Sequence, residues 1–168
     1  MARRIVSIIA LILPLTLLYL LYNGVLNYFE LLLGVIISIT IALLFANIAV
    51  ENPGKLYSPV RWFYGIIYTI LYYIVIEAKA HLQMLKLIID PSRAKPAIVR
   101  IPYDVDTDYA VTALANSITG RPGTVVIDVD EKHRVMYIHW IKADELSSEE
   151  AYKRISMDLE KYIRRIFD

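Results

Sequence analysis

Glu77, Lys79 and His81 form the densest group of titratable side chains beside an apolar stretch of this chain. Glu77 and His81 are four apart, so a helix would put them on one face. Carboxylate and imidazole at membrane depth are costly and point to ion transfer or to a contact with another subunit. A solvated place at the water–lipid boundary is the plainer reading. Glu30 opens a second apolar stretch and is read as interfacial. Asp104, Asp106 and Asp108 alternate as calcium ligands do, but the glycine and closing glutamate of an EF-hand loop are absent, and helix capping accounts for them better. His139 lies in an apolar strand, where a hydrogen-bonded core histidine is expected, and His133 falls in a turn. No Ser/His/Asp set, HExxH motif or glycine-rich nucleotide loop is visible. The chain has no cysteine, which excludes thiol catalysis, Fe–S ligation and cysteine-based zinc sites. No cofactor or metal site is expected, and the chain does not read as an enzyme by itself.

The elements that must carry these residues are mostly apolar. Residues 5–22 and 31–50 contain no charge, and residues 62–76 repeat the pattern with many tyrosines. A run of about 18 apolar residues spans a bilayer core as a helix. Hydrophobic residues make up 57% of the 168, which is high for a soluble protein. A signal peptide is the rival for the first run. That run is too long, and Tyr19, Tyr22 and Asn23 stand where a small-residue cleavage site would be. Pro14 is tolerated in a membrane helix. The third run continues in helical pattern through His81 and Lys86 to Ile89, where Asp90-Pro91 stops it. Its Gly65, Tyr68, Tyr72 and Glu77 fall at helical spacing and form one face for contact with other membrane subunits.

The expected organisation is a helical membrane region of about three hydrophobic helices over residues 1–90 and a small soluble α/β tail over 91–168. Counting Lys and Arg for three full crossings gives a tie: Arg3, Arg4, Lys55 and Arg61 against Lys79, Lys86, Arg93 and Lys95. The density of basic residues after the third run favours a cytoplasmic tail. That orientation needs an outside N-terminus or one run that does not fully cross.

The tail reads as β-α-β-β-α. Strands are predicted at 97–101, 124–129 and 135–141, with a hairpin turn at 130–133. Thr107 caps a helix reaching 117, with Asn116 in left-handed geometry at its end. Ser147 and Glu150 make a capping box, and Ala151, Ile155, Leu159, Tyr162, Ile163 and Ile166 share the face of one last helix. From Pro91 to Asp168 there are 12 basic and 13 acidic residues, so no nucleic-acid footprint exists. One glutamine in the whole chain, Gln83, and abundant Ile, Tyr, Lys, Arg and Glu match thermophile usage.

Several phrases in the tail are distinctive: Pro96-Ala97-Ile98-Val99-Arg100-Ile101-Pro102, then Leu114-Ala115-Asn116-Ser117-Ile118-Thr119, Pro122-Gly123-Thr124, and Tyr137-Ile138-His139. With Glu77 after the third run and Asn23-Gly24 after the first, nearly the whole chain resembles the E subunit of multisubunit Mrp-type sodium/proton antiporters. Gly120-Arg121 stand where that family usually has Leu-Thr. Archaeal membrane-bound hydrogenase and sulfur-reducing complexes contain a similar subunit. The resemblance implies an accessory subunit in a membrane complex that exchanges Na⁺ for H⁺, with other membrane subunits, hydrogenase-module subunits and the lipid bilayer as partners. Physically, Asn116, Ser117, Thr119, Pro122, Gly123 and Thr124 read as a structural turn from helix to strand, with a phosphate or ion cradle as the lesser reading. A membrane-anchored module whose α/β tail senses a small ligand is the alternative function.

Overall fold

A computed structural model describes residues 2–50, 52–143 and 147–168; the side chains of Ala2, Arg3, Asn47 and Leu56 lie outside that description. The side chain of Arg3, counted in the charge comparison, is therefore not placed. The chain forms two compact units, residues 1–58 and 59–168.

The first unit is a helical hairpin. Helix α1 (Ala2–Asn23) contains Pro14, and α2 (Tyr28–Ala49) follows after four residues. Asn27 starts α2 by accepting a hydrogen bond from the Glu30 N–H at 2.8 Å, which satisfies a backbone donor that has no partner inside the helix. Arg4 reaches the Leu43 carbonyl, Thr16 meets Ser38 and Tyr19 meets Glu30, so the helices run antiparallel. Thr16 and Ser38 are buried and hydrogen-bonded at 3.0 Å. Their paired hydroxyls stitch two otherwise apolar surfaces, as small polar side chains do between membrane helices.

The second unit begins with one continuous helix, Pro59–Ile89. It comprises α3 (Pro59–Ile70), a wider π turn (Leu71–Ile76) and α4 (Glu77–Ile89). The Glu77 N–H donates to the Tyr72 carbonyl, the five-residue step that defines the π turn. Asp90 ends the helix ahead of Pro91. Strands β1 (Ala97–Pro102), β2 (Thr124–Asp130) and β3 (Val135–Trp140) form an antiparallel sheet in the order β1-β3-β2. Ile101 faces Met136 in register, and a bulge interrupts β2 between Val126 and Asp128. Helices α5 (Asp108–Gly120), α6 (Ser148–Ile155) and α7 (Met157–Phe167) cover one face. Ile101, Met136 and Ile138 meet Leu114, Ile118, Ala151, Ile155, Leu159 and Ile163 in the core, all essentially inaccessible. Each Ile, Leu and Met among these contributes about 1.5–3 kcal/mol by leaving water.

The tail has the predicted β-α-β-β-α order, and the Ser147/Glu150 capping box is complete. Three details differ. Helix α5 does not end near 117: it runs to Gly120, and Asn116 sits inside it, exposed and without left-handed geometry. Leu114 and Ile118 both enter the core, so burial carries the helix one turn further. The last helix is two helices, because the chain bends at the fully buried Ser156, with φ −122°. His139 is exposed on the uncovered face of the sheet, between Ile98 and Val125. Period-two alternation puts Ile138 and Trp140 inward and His139 outward.

Candidate functional site

Glu77 and His81 come together on α4, with Nδ1 of His81 3.5 Å from the Glu77 carboxylate and 2.9 Å from the Glu77 carbonyl. The Glu77 side chain is 22% exposed and that of His81 is 65% exposed. Lys79 is not part of the pair. It faces another side of α4 and lines a cleft with Lys86 and Arg121.

A tyrosine-rich face of α3 and the π turn is held by the chain's own tail. Tyr68 donates to Ser117 Oγ, which donates in turn to the Ala113 carbonyl. Tyr72, 8% exposed, donates to the Ser117 carbonyl at 3.0 Å. Tyr162 of α7 stacks near Tyr68, with ring centres 6.1 Å apart. Arg165 lies over the Tyr64 ring and donates to its hydroxyl, and Arg61 donates to the Ile166 carbonyl at 2.7 Å, near the end of α7. The expectation that Tyr68 and Tyr72 face other subunits is thus corrected. A helix carrying a tyrosine every fourth residue reads the same whether its partner is another chain or its own tail.

The distinctive turn has a definite geometry. Thr124 donates from its hydroxyl to the Ile118 carbonyl at 2.6 Å, and Thr119 accepts from the Val126 N–H at 3.1 Å. Gly123 sits at φ +96°, where a Cβ would stand 3.1 Å from both Ile141 and Met84. Pro122 lines the cleft beside it. The Gly120-Arg121 pair has its own fit here. A Cβ on Gly120 would stand 2.7 Å from the Tyr72 hydroxyl, so glycine lets that tyrosine in. Arg121 donates to the Ile155 carbonyl at 2.7 Å, at the end of α6. Burial pushes the Arg121 guanidinium below its ordinary value.

Sequence reasoning missed two features. Glu30, at the start of α2, accepts from the Tyr19 hydroxyl and from the Asn23 amide, each at 2.6 Å, so it also ties the hairpin together. The signal was available: Asn23 ends α1 and Glu30 stands in the first turn of α2, on either side of the connection 24–27. Glu160, 4% exposed, accepts from the Asp104 N–H at 3.0 Å while its other oxygen has no hydrogen bond. Burial raises its carboxyl above the usual 4.5. In sequence it stands on the polar side of an amphipathic pattern, and only the fold shows it covered. Asp104 and Asp106 are held by arginines: Arg164 lies 2.8 Å from Asp104, and Arg134 lies 3.0 Å from Asp106.

A family model described as Na⁺/H⁺ ion antiporter subunit (MNHE) matches residues 12–166. The Na(+)/H(+) antiporter subunit E1 of Staphylococcus haemolyticus is 32% identical over 138 residues, covering 82% of each chain. The subunit E1 of Staphylococcus aureus (strain bovine RF122 / ET3-1) is 35% identical over 115 residues, 68% of this chain and 70% of that one. A chain in the structure of the membrane-bound sulfane sulfur reductase, an archaeal respiratory membrane complex, superposes with a TM-score of 0.82. It is 30% identical, and the match covers 96% of this chain and 99% of that chain. Three helices of the described structure are long and apolar enough to cross a membrane: Arg4–Asn23, Tyr28–Ala46 and Pro59–Ile89. The chain is a multi-pass cell-membrane protein and belongs to the MNHE family of Na⁺/H⁺ ion antiporter subunits.

Proposed function

We propose that this chain is a non-catalytic, architectural subunit of a cation/proton antiporter module, holding membrane subunits in place while others carry the ion. The observation that carries this reading is the similarity over nearly the whole chain to antiporter E subunits and to a chain of a respiratory membrane complex. The likeness to the sulfane sulfur reductase chain supports a respiratory complex as the setting. Residues 1–90 form the membrane-associated region, and residues 91–168 form an aqueous domain on the cytoplasmic side.

The side chains fit a scaffold. In the hairpin, the hydroxyls of Thr16 and Ser38 and the carboxylate of Glu30 are engaged within the unit. Its outward surface is apolar, with Leu13, Leu18, Leu21 and Leu44 each more than 60% exposed. Glu77 and His81 are open to a partner, and a subunit contact is their assigned role. Thr119, Gly123 and Thr124, at the end of α5 and in the turn after it, hold helix to strand, and Asn116 stays on the exposed side of α5.

A tagged copy purified in mild detergent should bring down several larger hydrophobic subunits; recovery of a lone monomer would contradict the reading. Glu77→Gln keeps the shape and removes the charge. It should loosen the complex while the intact fraction still exchanges Na⁺ for H⁺. A fully assembled complex without exchange would make Glu77 an ion-path residue.

A further inference from the structure

The helix Pro59–Ile89 has two unlike flanks. One carries Trp62, Ile66, Ile70, Ile74, Leu85 and Ile88, each more than half exposed, and the paired Glu77 and His81 share the α4 face of Leu85 and Ile88. The other is covered by the tail from Arg61, which bonds Ile166, to Met84, which lies over Gly123. That covered stretch is about 35 Å long at 1.5 Å per residue. A bilayer core is about 30 Å thick. If this helix crossed, the tail's flank with Arg121 and Arg165 would be carried into hydrocarbon, where charges and open sheet edges are not tolerated. A helix lying in the surface plane puts the apolar flank in lipid and the tail in water.

The charge pattern independently favours that placement. The connection between α1 and α2, residues 24–27, holds no Lys or Arg. With two crossings, Arg3, Arg4, Lys55, Arg61, Lys79, Lys86, Arg93 and Lys95 all fall on one side, and the tie for three crossings disappears.

Beside the apolar flank, a cleft of about 700 Å³ opens between α4, the 121–124 turn and α6. Among the described residues six cations line it, Lys79, Lys86, Arg121, Lys142, Lys153 and Arg154, with one acid, Asp158. Among the described residues, Lys153 is the one of the six in an ion pair, with Glu149. The buried Nε of Arg121 makes no hydrogen bond. Leu82, 60% exposed, borders both the cleft and the apolar flank. A cluster of cations next to an exposed apolar edge matches a phosphate carried on a lipid.

We propose that the helix Pro59–Ile89 lies in the bilayer surface and that the basic cleft on its flank binds the phosphate of an anionic phospholipid from the same leaflet. The chain has no cysteine, so Ile66→Cys, Ile74→Cys and Leu85→Cys can each carry one fluorophore in vesicles containing lipids brominated at known depth. The three labels should quench at the same shallow depth. A change of depth approaching 28 Å, about the length from 66 to 85 along a helix, would overturn the surface placement. For the cleft, calorimetry of the full chain in detergent compares dioctanoyl phosphatidylglycerol, dioctanoyl phosphatidylcholine and inorganic phosphate. Phosphatidylglycerol should bind best. The triple variant Lys79→Gln, Lys86→Gln, Lys142→Gln should bind it about a hundredfold more weakly, since each cation near an anionic surface contributes roughly fivefold. Circular dichroism checks that the variant is folded. Equal binding of phosphatidylcholine, equal binding of inorganic phosphate, or an unchanged variant would each overturn the lipid site. So would a variant that sheds a partner subunit from the purified complex while keeping its lipid affinity, because the cleft would then be a protein contact.

Discussion

Gly123 carries the sharpest single-residue demand in the tail. Its φ of +96° suits glycine, and a Cβ there would stand 3.1 Å from both Ile141 and Met84, so those side chains would have to give way. Gly123→Val should cost about 1–3 kcal/mol and lower both the abundance and the melting temperature of the chain. Normal abundance with lost sodium transport would instead point to an ion cradle in the turn. Glu160 makes a pH-dependent prediction. Burial raises its folded pKa, so the folded chain favours the protonated acid more than the unfolded chain does. Stability is unaffected below the unfolded value of 4.5 and falls as pH rises from there through the raised value. Glu160→Gln in the full chain should therefore melt higher than the wild type at neutral pH, and the gain should vanish in acid. An equal difference at every pH would contradict this. At this scale the sequence was readable where local chemistry decides, as in the Ser147/Glu150 box and the Thr107 cap. It was unreadable where distant elements decide. Nothing local distinguishes the buried Glu160 from the exposed Glu149, whereas the outward place of His139 follows from the strand alternation itself.

Elements were the most legible level, because period two and period 3.6 separate strands from helices over a few residues. All three strands and the helices that cover them fall within a few residues of the predicted spans. Asn116 misled because a residue suited to a helix end stands one turn before that end. The π turn at Leu71–Ile76 had no sequence signal at all. It shifts the phase of the helix after Tyr68 and Tyr72, so a wheel drawn from 60 to 89 misassigns α4. The tyrosine face of α3 and the π turn is the joint between membrane-associated helix and tail. Tyr72→Ala would leave a hole under α5 and remove the bond to Ser117; large aromatic truncations in a core cost about 3–5 kcal/mol. Limited proteolysis of the full chain in detergent should cut the tail of that variant faster than the wild type, whereas an unchanged cleavage rate would mean that the tail is held by other contacts.

For the whole molecule, the central claim is that the chain builds an antiporter module and does not carry the ion. Composition and the tail phrases carried the family in the sequence itself, and the 12–166 match has the same reach. What other subunits touch is not legible in either, because an exposed apolar helix face suits lipid and protein alike. The direct test is a strain lacking this chain, with native-gel size and Na⁺/H⁺ exchange per assembled complex measured on the same membranes. The account predicts a missing or smaller complex, with exchange falling in proportion to assembly. A complex of full normal size that has lost exchange would contradict it and place this chain in the ion path.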